Sequence, residues 1–405
     1  MPLKRRLVVV GTLSVDPFAG MAWMHMQIAA GLLRLGHDVY YIEMSGNWPY
    51  DPVRQSHVAD SVYALPYLRS VVERFGLGER WAYQRGYSDK EWFGPVGHQA
   101  VQLLEQADAV FNITGTSRFG EQGLRAGRLI FYGTDPVHPE LLYASGDPVT
   151  RQIVDEHDDV VTYGENIGVE GCIVPPLPKQ RSRLRQPILT DLWAGDTPSR
   201  SVFTTVGNWA QSGRDAHFQG ENYLWSKHHE WLKVIELPKR VHCDIELATN
   251  LLDPSDIQHG PNERVRAGGL NGDARGMLLH NGWRLVDGNA LSLDPWTYRD
   301  YIRSSRGEFT VARDLNVRTR SGWFSERSAC YLAAGKPVIT QDTGFGRTLP
   351  TGEGLFAFET IDDCVAAFDA VNSNYELHSR AAREIAHEYF RAETVLARML
   401  SDLSL

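Results

Sequence analysis

Residues Arg320–Gly346 read RSGWFSERSACYLAAGKPVITQDTGFG. The pattern predicts a polar, glycine-punctuated loop, a short helix from about Glu326 to Ala334, and a tight Gly335-Lys336-Pro337 turn. An apolar strand, Val338-Ile339-Thr340, and a second glycine-rich loop follow. A loop that opens a helix offers unpaired backbone N–H groups and the positive end of the helix dipole, which suits a diphosphate. The second loop, Asp342-Thr343-Gly344-Phe345, follows the carboxyl end of a strand, where open α/β sheets keep their ligands. A small polar ligand carrying a diphosphate, such as a nucleotide-sugar, fits that layout.

Outward from this stretch the chain alternates strand and helix. Towards the amino terminus, Val202–Val206, Asp244–Ala248, Trp283–Val286 and Glu308–Ala312 read as strands, with helices over Lys227–Ile235 and Thr297–Ser304. The first half has the same grammar. Leu7–Val10 is a continuous apolar run, as a strand buried on both faces should be. A loop Asp16-Pro17-Phe18-Ala19-Gly20, a helix from about Met21 to Leu35, and the strand Asp38–Glu43 complete a βαβ unit, which crosses over right-handed into a parallel sheet. Further strands are read at Ala109–Ile113, Arg128–Tyr132 and Val160–Tyr163, with a helical insertion around Leu65–Phe75. Proline-rich residues 175–199 show no lasting periodicity and read as a linker. Their cations Lys179, Arg181, Arg183 and Arg185 fit a solvated strap better than a phosphate site. Arg380–Leu400 reads as one long terminal helix.

With 405 residues the chain exceeds what one hydrophobic core serves, so two domains of roughly 200 residues each are expected. The net charge of −9 argues against a general nucleic-acid or anionic-membrane binder. Cys172, Cys243, Cys330 and Cys364 are widely spaced, which suits free thiols in a reducing, cytoplasmic compartment rather than disulfides or zinc. Lys4-Arg5-Arg6 precedes an apolar run too short for a signal peptide, and no run of about 18 apolar residues spans a membrane.

The helix, AAGKPV turn, strand and D-x-G loop resemble the carboxyl-terminal half of bacterial GT-B glycosyltransferases, specifically over Gly307–Phe358 and a poorly characterised branch of them. That resemblance implies an α/β architecture of two Rossmann-like domains facing a cleft, with the carboxyl-terminal helix crossing back to the first domain. The expected divisions are 1–178 for the acceptor domain, 179–199 for the linker, 200–380 for the donor domain and 381–405 for the crossing helix. It also implies sugar transfer from a uridine, thymidine or guanosine diphosphate sugar to a small-molecule, lipid-linked or other acceptor, with no metal and no further cofactor. One departure stands out: the helix position that carries Glu in the retaining enzymes is Cys330 here, and the nearest carboxylate, Glu326, is one turn earlier.

Candidate donor-side residues follow. Gly20 lets the first loop approach a ligand, although the loop is not the G-x-G-x-x-G of dinucleotide folds. Gly207 and Asn208 follow a strand and could donate to phosphate, near the cations Arg214 and Lys227 and His228. A departing nucleotide needs positive charge, and Lys227, at a helix start, is the first choice. Ser325 reads as an N-cap. Arg327 opposes the helix dipole and calls for an anion partner. Glu326 could accept from a ribose hydroxyl pair or could simply compensate the dipole. Glu308 opens a strand before this helix, Trp283 is either a base contact or core, and Asp342, Thr343, Gly344 and Phe345 would meet sugar hydroxyls. On the acceptor side an inverting enzyme needs a base. Asp135, in GTDPVH, is the first candidate and His25 the second, each balanced by a turn or packing role. The pairs His228-His229 and His242-Cys243 lack zinc spacing. An epimerase on the same fold, or a non-catalytic nucleotide-sugar-binding protein, remains open at this point.

Overall fold

The computed structural model describes residues 4–86, 89–194, 200–251 and 273–405. The chain divides into two compact units. The first is Met1–Gly164, Pro175–Leu189 and Phe390–Leu405, and the second is Glu165–Val174 and Thr190–Tyr389.

In the first unit eight strands form one sheet among the described residues: β1 (Arg6–Val10), β2 (Asp38–Glu43), β3 (Trp81–Gln84), β4 (Trp92–Phe93), β5 (Ala109–Ile113), β6 (Leu129–Gly133), β7 (Asp159–Thr162) and β8 (Gln180–Arg183). Their order is β8-β7-β6-β5-β1-β2-β3-β4. All neighbours are parallel except β3 and β4. The central run Leu7–Val10 is fully buried, as its unbroken apolar sequence requires.

Two expectations change here. Residues 180–183 are not linker but the edge strand β8. Arg181 and Arg183 face solvent while Ser182 and Leu184 are buried. That is period-two alternation carried by one serine and one leucine, too weak to stand out among prolines. Arg181 pairs with Asp159 at 3.0 Å and Lys179 donates to the His157 carbonyl at 2.7 Å. The single terminal helix is also broken. A helix over Tyr375–Ile385 passes through a π-turn at Ala386–Phe390 before the helix Ala392–Asp402. The break has a backbone cause. The Ile188 amide donates to the Phe390 carbonyl at 2.7 Å and the Ala392 amide to the Ile188 carbonyl at 2.8 Å, pulling Arg391 out of the helical ladder. The helix Ala392–Asp402 packs on the helix Ala19–Arg34 within the first unit. Gly31 permits that approach, since a Cβ there would lie 2.5 Å from the Leu396 side chain.

The second unit holds an all-parallel sheet of six strands among the described residues: β9 (Val202–Val206), β10 (Asp244–Thr249), β11 (Arg284–Asp287), β12 (Gly307–Thr310), β13 (Val338–Gln341) and β14 (Leu355–Phe358), in the order β11-β10-β9-β12-β13-β14. Its core centres on Phe309, which stacks on Phe358 at 5.4 Å and meets Trp231 and Trp283. Parallel pairing puts the loops after β9, β12 and β13 at one edge of the sheet. Among the described residues no helix is long and apolar enough to cross a membrane.

Candidate functional site

At that edge of the second unit, the loop after β13 and the segment before the Glu326–Ala333 helix are knitted together. Gly322 donates to the Thr343 carbonyl at 2.8 Å, and the Thr343 hydroxyl donates to the Trp323 carbonyl at 2.6 Å. Asp342 accepts the Gly344 amide on one oxygen and Arg320 on the other, both at 2.7 Å. Gly344 has φ 87°, and a Cβ there would lie 2.8 Å from the Asn166 side-chain nitrogen, which itself donates to the Gly344 carbonyl at 3.0 Å. Phe345 is buried against Phe324. These engagements revise the side-chain roles expected for Asp342 and Thr343: both side chains serve the loop's own shape.

Ser325 occupies the extended N-cap position, but its side chain makes no capping bond. Glu326 is half-buried and receives the Cys330 thiol at 3.3 Å. Lys227 directly precedes the helix His228–Lys233, and its ammonium lies 5.8 Å from the centre of the Trp323 ring, two residues before Ser325. The structure therefore brings Lys227 to the segment that precedes the Glu326–Ala333 helix. His228 is held by Ser226 at 2.7 Å.

Other expectations are redirected. The anion partner of Arg327 is internal: its Nε donates to Glu308 at 2.5 Å, and its remaining nitrogens donate to the Val206 carbonyl and the Thr310 hydroxyl at 2.8 Å each. Glu308 is fully buried, so it is not placed for a ligand, and the Arg327 guanidinium is spent on internal acceptors. Burial disfavours the Arg327 charge, but Glu308 outweighs it and raises the guanidinium pKa. The Gly207 amide is donated to the Ala248 carbonyl at 2.9 Å, while Asn208 is exposed. Arg214 is exposed over the Trp225 ring at 5.2 Å. Trp283 is core: it meets Trp231 edge-on and donates its indole N–H to the Ile235 carbonyl at 2.7 Å. Among the described residues no three His, Cys, Asp or Glu side chains gather as a metal ligand set.

In the first unit, Gly20 lies inside the first turn of the Ala19–Arg34 helix rather than in the loop before it. The loop is pinned from below by Glu43, whose two oxygens accept the Leu13 amide at 2.5 Å and the Ser14 amide at 2.9 Å. Tyr41 donates to Glu43 at 2.7 Å and lies 2.9 Å from His25 Nδ1, so His25 supplies the proton of that second bond. His25 is fully buried, and burial pushes its pKa down to about 3. A ring so enclosed and so weakly basic is a packing element, not an acceptor-side base. Asp135 is half-buried at the carboxyl end of β6.

No family model and no curated protein matches the sequence. Solved structures do. The chain is similar to Anabaena Alr3699/HepE in complex with UDP and glucose, with 11% identity, 99% of each chain covered and a TM-score of 0.56. An alpha-glucosyltransferase in complex with UDP and a 13-mer DNA containing a HMU base is 8% identical over 100% of both chains, with a TM-score of 0.58. Sucrose-phosphate synthase from Thermosynechococcus elongatus is 13% identical, covering 99% of this chain and 98% of that one, with a TM-score of 0.53. The fold is GT-B.

In this GT-B chain the Cys330 thiol donates to Glu326 across one helical turn. Sequence reading missed Trp323, Arg320 and Asn166 in the second unit, and Tyr41, Glu43 and Glu140 in the first. Glu43 had a signal, an acid ending the apolar strand DVYYIE. Asn166 had none, because its partners lie 154 and 178 residues away.

Proposed function

We propose that this chain is a glycosyltransferase that moves a sugar from a nucleotide-diphosphate sugar to a small-molecule or lipid-linked acceptor, the second unit holding the donor and the first the acceptor. One observation carries the reading. The Glu326–Ala333 helix, at the carboxyl edge of a parallel sheet, opens at a serine that makes no side-chain cap, and the Lys227 ammonium lies 5.8 Å from the ring of Trp323, two residues before that serine. A diphosphate there gains the helix dipole and the Lys227 charge, which also stabilise the nucleotide as it leaves. Charge stabilisation is assigned to these groups rather than to a metal. Glu326 is assigned to the ribose hydroxyls, the Asp342–Phe345 loop to the sugar through its backbone, and Asp135 to the acceptor proton.

Two of the similar structures hold UDP, which supports a uridine diphosphate donor over the thymidine or guanosine forms. Thermal-shift screening of UDP, TDP and GDP sugars tests the reading, since a tight ligand raises the melting point. Stabilisation by a nucleotide-sugar, followed by nucleotide release in the presence of chelator, is expected. No shift with any of the panel would refute donor binding, and turnover abolished by chelator would refute metal independence.

A further inference from the structure

In the first unit β6 runs through Gly133-Thr134-Asp135-Pro136 into Val137, which has φ 82° and ψ −55°. That is a γ-turn geometry with positive φ, and for a β-branched residue it is an outlier. Such a conformation persists only where the surroundings over-determine it, and such outliers cluster at functional sites. The surroundings here are specific. The Val137 side chain is fully buried, its carbonyl accepts the Leu141 amide at 2.9 Å, and its amide donates to Glu140 Oε2 at 2.7 Å.

Glu140 is the second anomaly. A glutamate in the first turn of a helix is ordinarily a surface residue, yet this one is 2% exposed. Its other oxygen accepts the Thr162 hydroxyl at 3.4 Å, at the carboxyl end of the neighbouring strand β7, and that hydroxyl also accepts the Gly164 amide at 3.2 Å. Burial raises the Glu140 pKa to about 7 against these bonds. A helix cap alone does not require burying the acid. Joining the turn after β6 to the end of β7 does.

We propose that Glu140 is a positioning residue: it clamps the strained Val137 amide, fixes the turn that carries Asp135 against the end of β7, and so sets where the acceptor-side base stands. This rests on the assignment of Asp135 made above. Glutamine at 140 keeps an oxygen for the Val137 amide, alanine removes it, and glycine at 137 adopts positive φ without a Cβ clash.

The test measures nucleotide release from UDP-, TDP- and GDP-glucose with water as acceptor, in the wild type and in Asp135→Asn, Glu140→Gln, Glu140→Ala and Glu140→Ala/Val137→Gly. UDP affinity by calorimetry and hydrogen exchange of the peptide spanning 134–141 are measured alongside. Glu140→Ala is expected to lower kcat by about tenfold or more with UDP affinity unchanged and faster exchange in that peptide. Glu140→Gln should stay within about threefold of wild type, and the added Val137→Gly should recover part of the loss. Wild-type kcat in Glu140→Ala while Asp135→Asn is inactive would overturn the clamp and leave the base assignment standing. Wild-type kcat in Asp135→Asn would overturn the base assignment and the clamp with it, as would an inactive wild type. Should Glu140→Ala fail to fold, a loss above about tenfold in Glu140→Gln overturns the clamp, because the accepting oxygen is still present.

Discussion

Arg327 Nε and Glu308 Oε1 lie 2.5 Å apart, with the Glu308 side chain wholly buried and that of Arg327 12% exposed. The pair ties the first turn of the Glu326–Ala333 helix to β12, and the Arg327 bond to the Val206 carbonyl extends the tie to β9. An arginine at a helix start is unfavourable against the dipole. Here that misfit is resolved by an acid inside the sheet, so Arg327 organises the carboxyl edge of the sheet.

Arg327→Ala is therefore a stability mutation. It leaves Glu308 buried without its cation, and breaking one partner of such a pair costs about 3–5 kcal/mol. Urea unfolding should show this loss, with much of it recovered in Arg327→Ala/Glu308→Gln. A loss below about 1 kcal/mol would mean that the pair is not held together in solution.

Lys227→Ala should behave in the opposite way. Its contact with the Trp323 ring is worth about 0.5–1 kcal/mol at most for a half-exposed pair, so the melting point should barely move. Its charge is assigned to the diphosphate, so UDP affinity should fall about tenfold, the loss of one charge-assisted bond. Equal affinity by calorimetry would remove Lys227 from the site.

Most sheet strands were legible because both cores rest on β-branched and aromatic runs bounded by glycine and proline, and β2, β5 and β9 fall where periodicity puts them, whereas β3, β4 and β14 were not read as strands. What escaped the sequence was long-range. Arg327 carried a readable misfit, but nothing local says that its anion is Glu308 rather than a ligand, 19 residues away on another element. Likewise Glu140 reads as an ordinary first-turn acid until β7 is seen to close over it. The edge strand β8 and the break at Ala386–Phe390 were hidden for a related reason: each is specified by backbone pairing with distant chain, which leaves no side-chain period.

Acid should unfold the first unit through its buried histidines. Burial lowers the folded pKa of His25 to about 3 and of His157 to about 4, against an unfolded value of 6.5. Below pH 6.5 the unfolded chain takes up protons that the folded one refuses. The stability is thus complete above about pH 6.5 and drains away as the pH falls towards these folded values. From pH 7.5 to pH 5, His25 alone accounts for about 2 kcal/mol. His25→Gln should flatten the stability–pH curve by that amount over this window. An unchanged slope would mean that His25 is accessible to solvent protons.

Cys330 is fully buried and donates to Glu326, one turn away on the same helix. If Glu326 has taken over the ribose contact, the two positions cannot both carry carboxylates, because like charges at this spacing oppose each other in a poorly solvated site. Cys330→Glu should therefore have a carboxyl pKa raised in the folded state, destabilising the protein by about 2–4 kcal/mol at pH 8 and much less at pH 5, where the added acid holds its proton. Cys330→Glu/Glu326→Ala should regain stability at pH 8 and restore the UDP affinity that Glu326→Ala alone loses. Full UDP affinity in Glu326→Ala would show that the carboxylate serves the helix dipole instead.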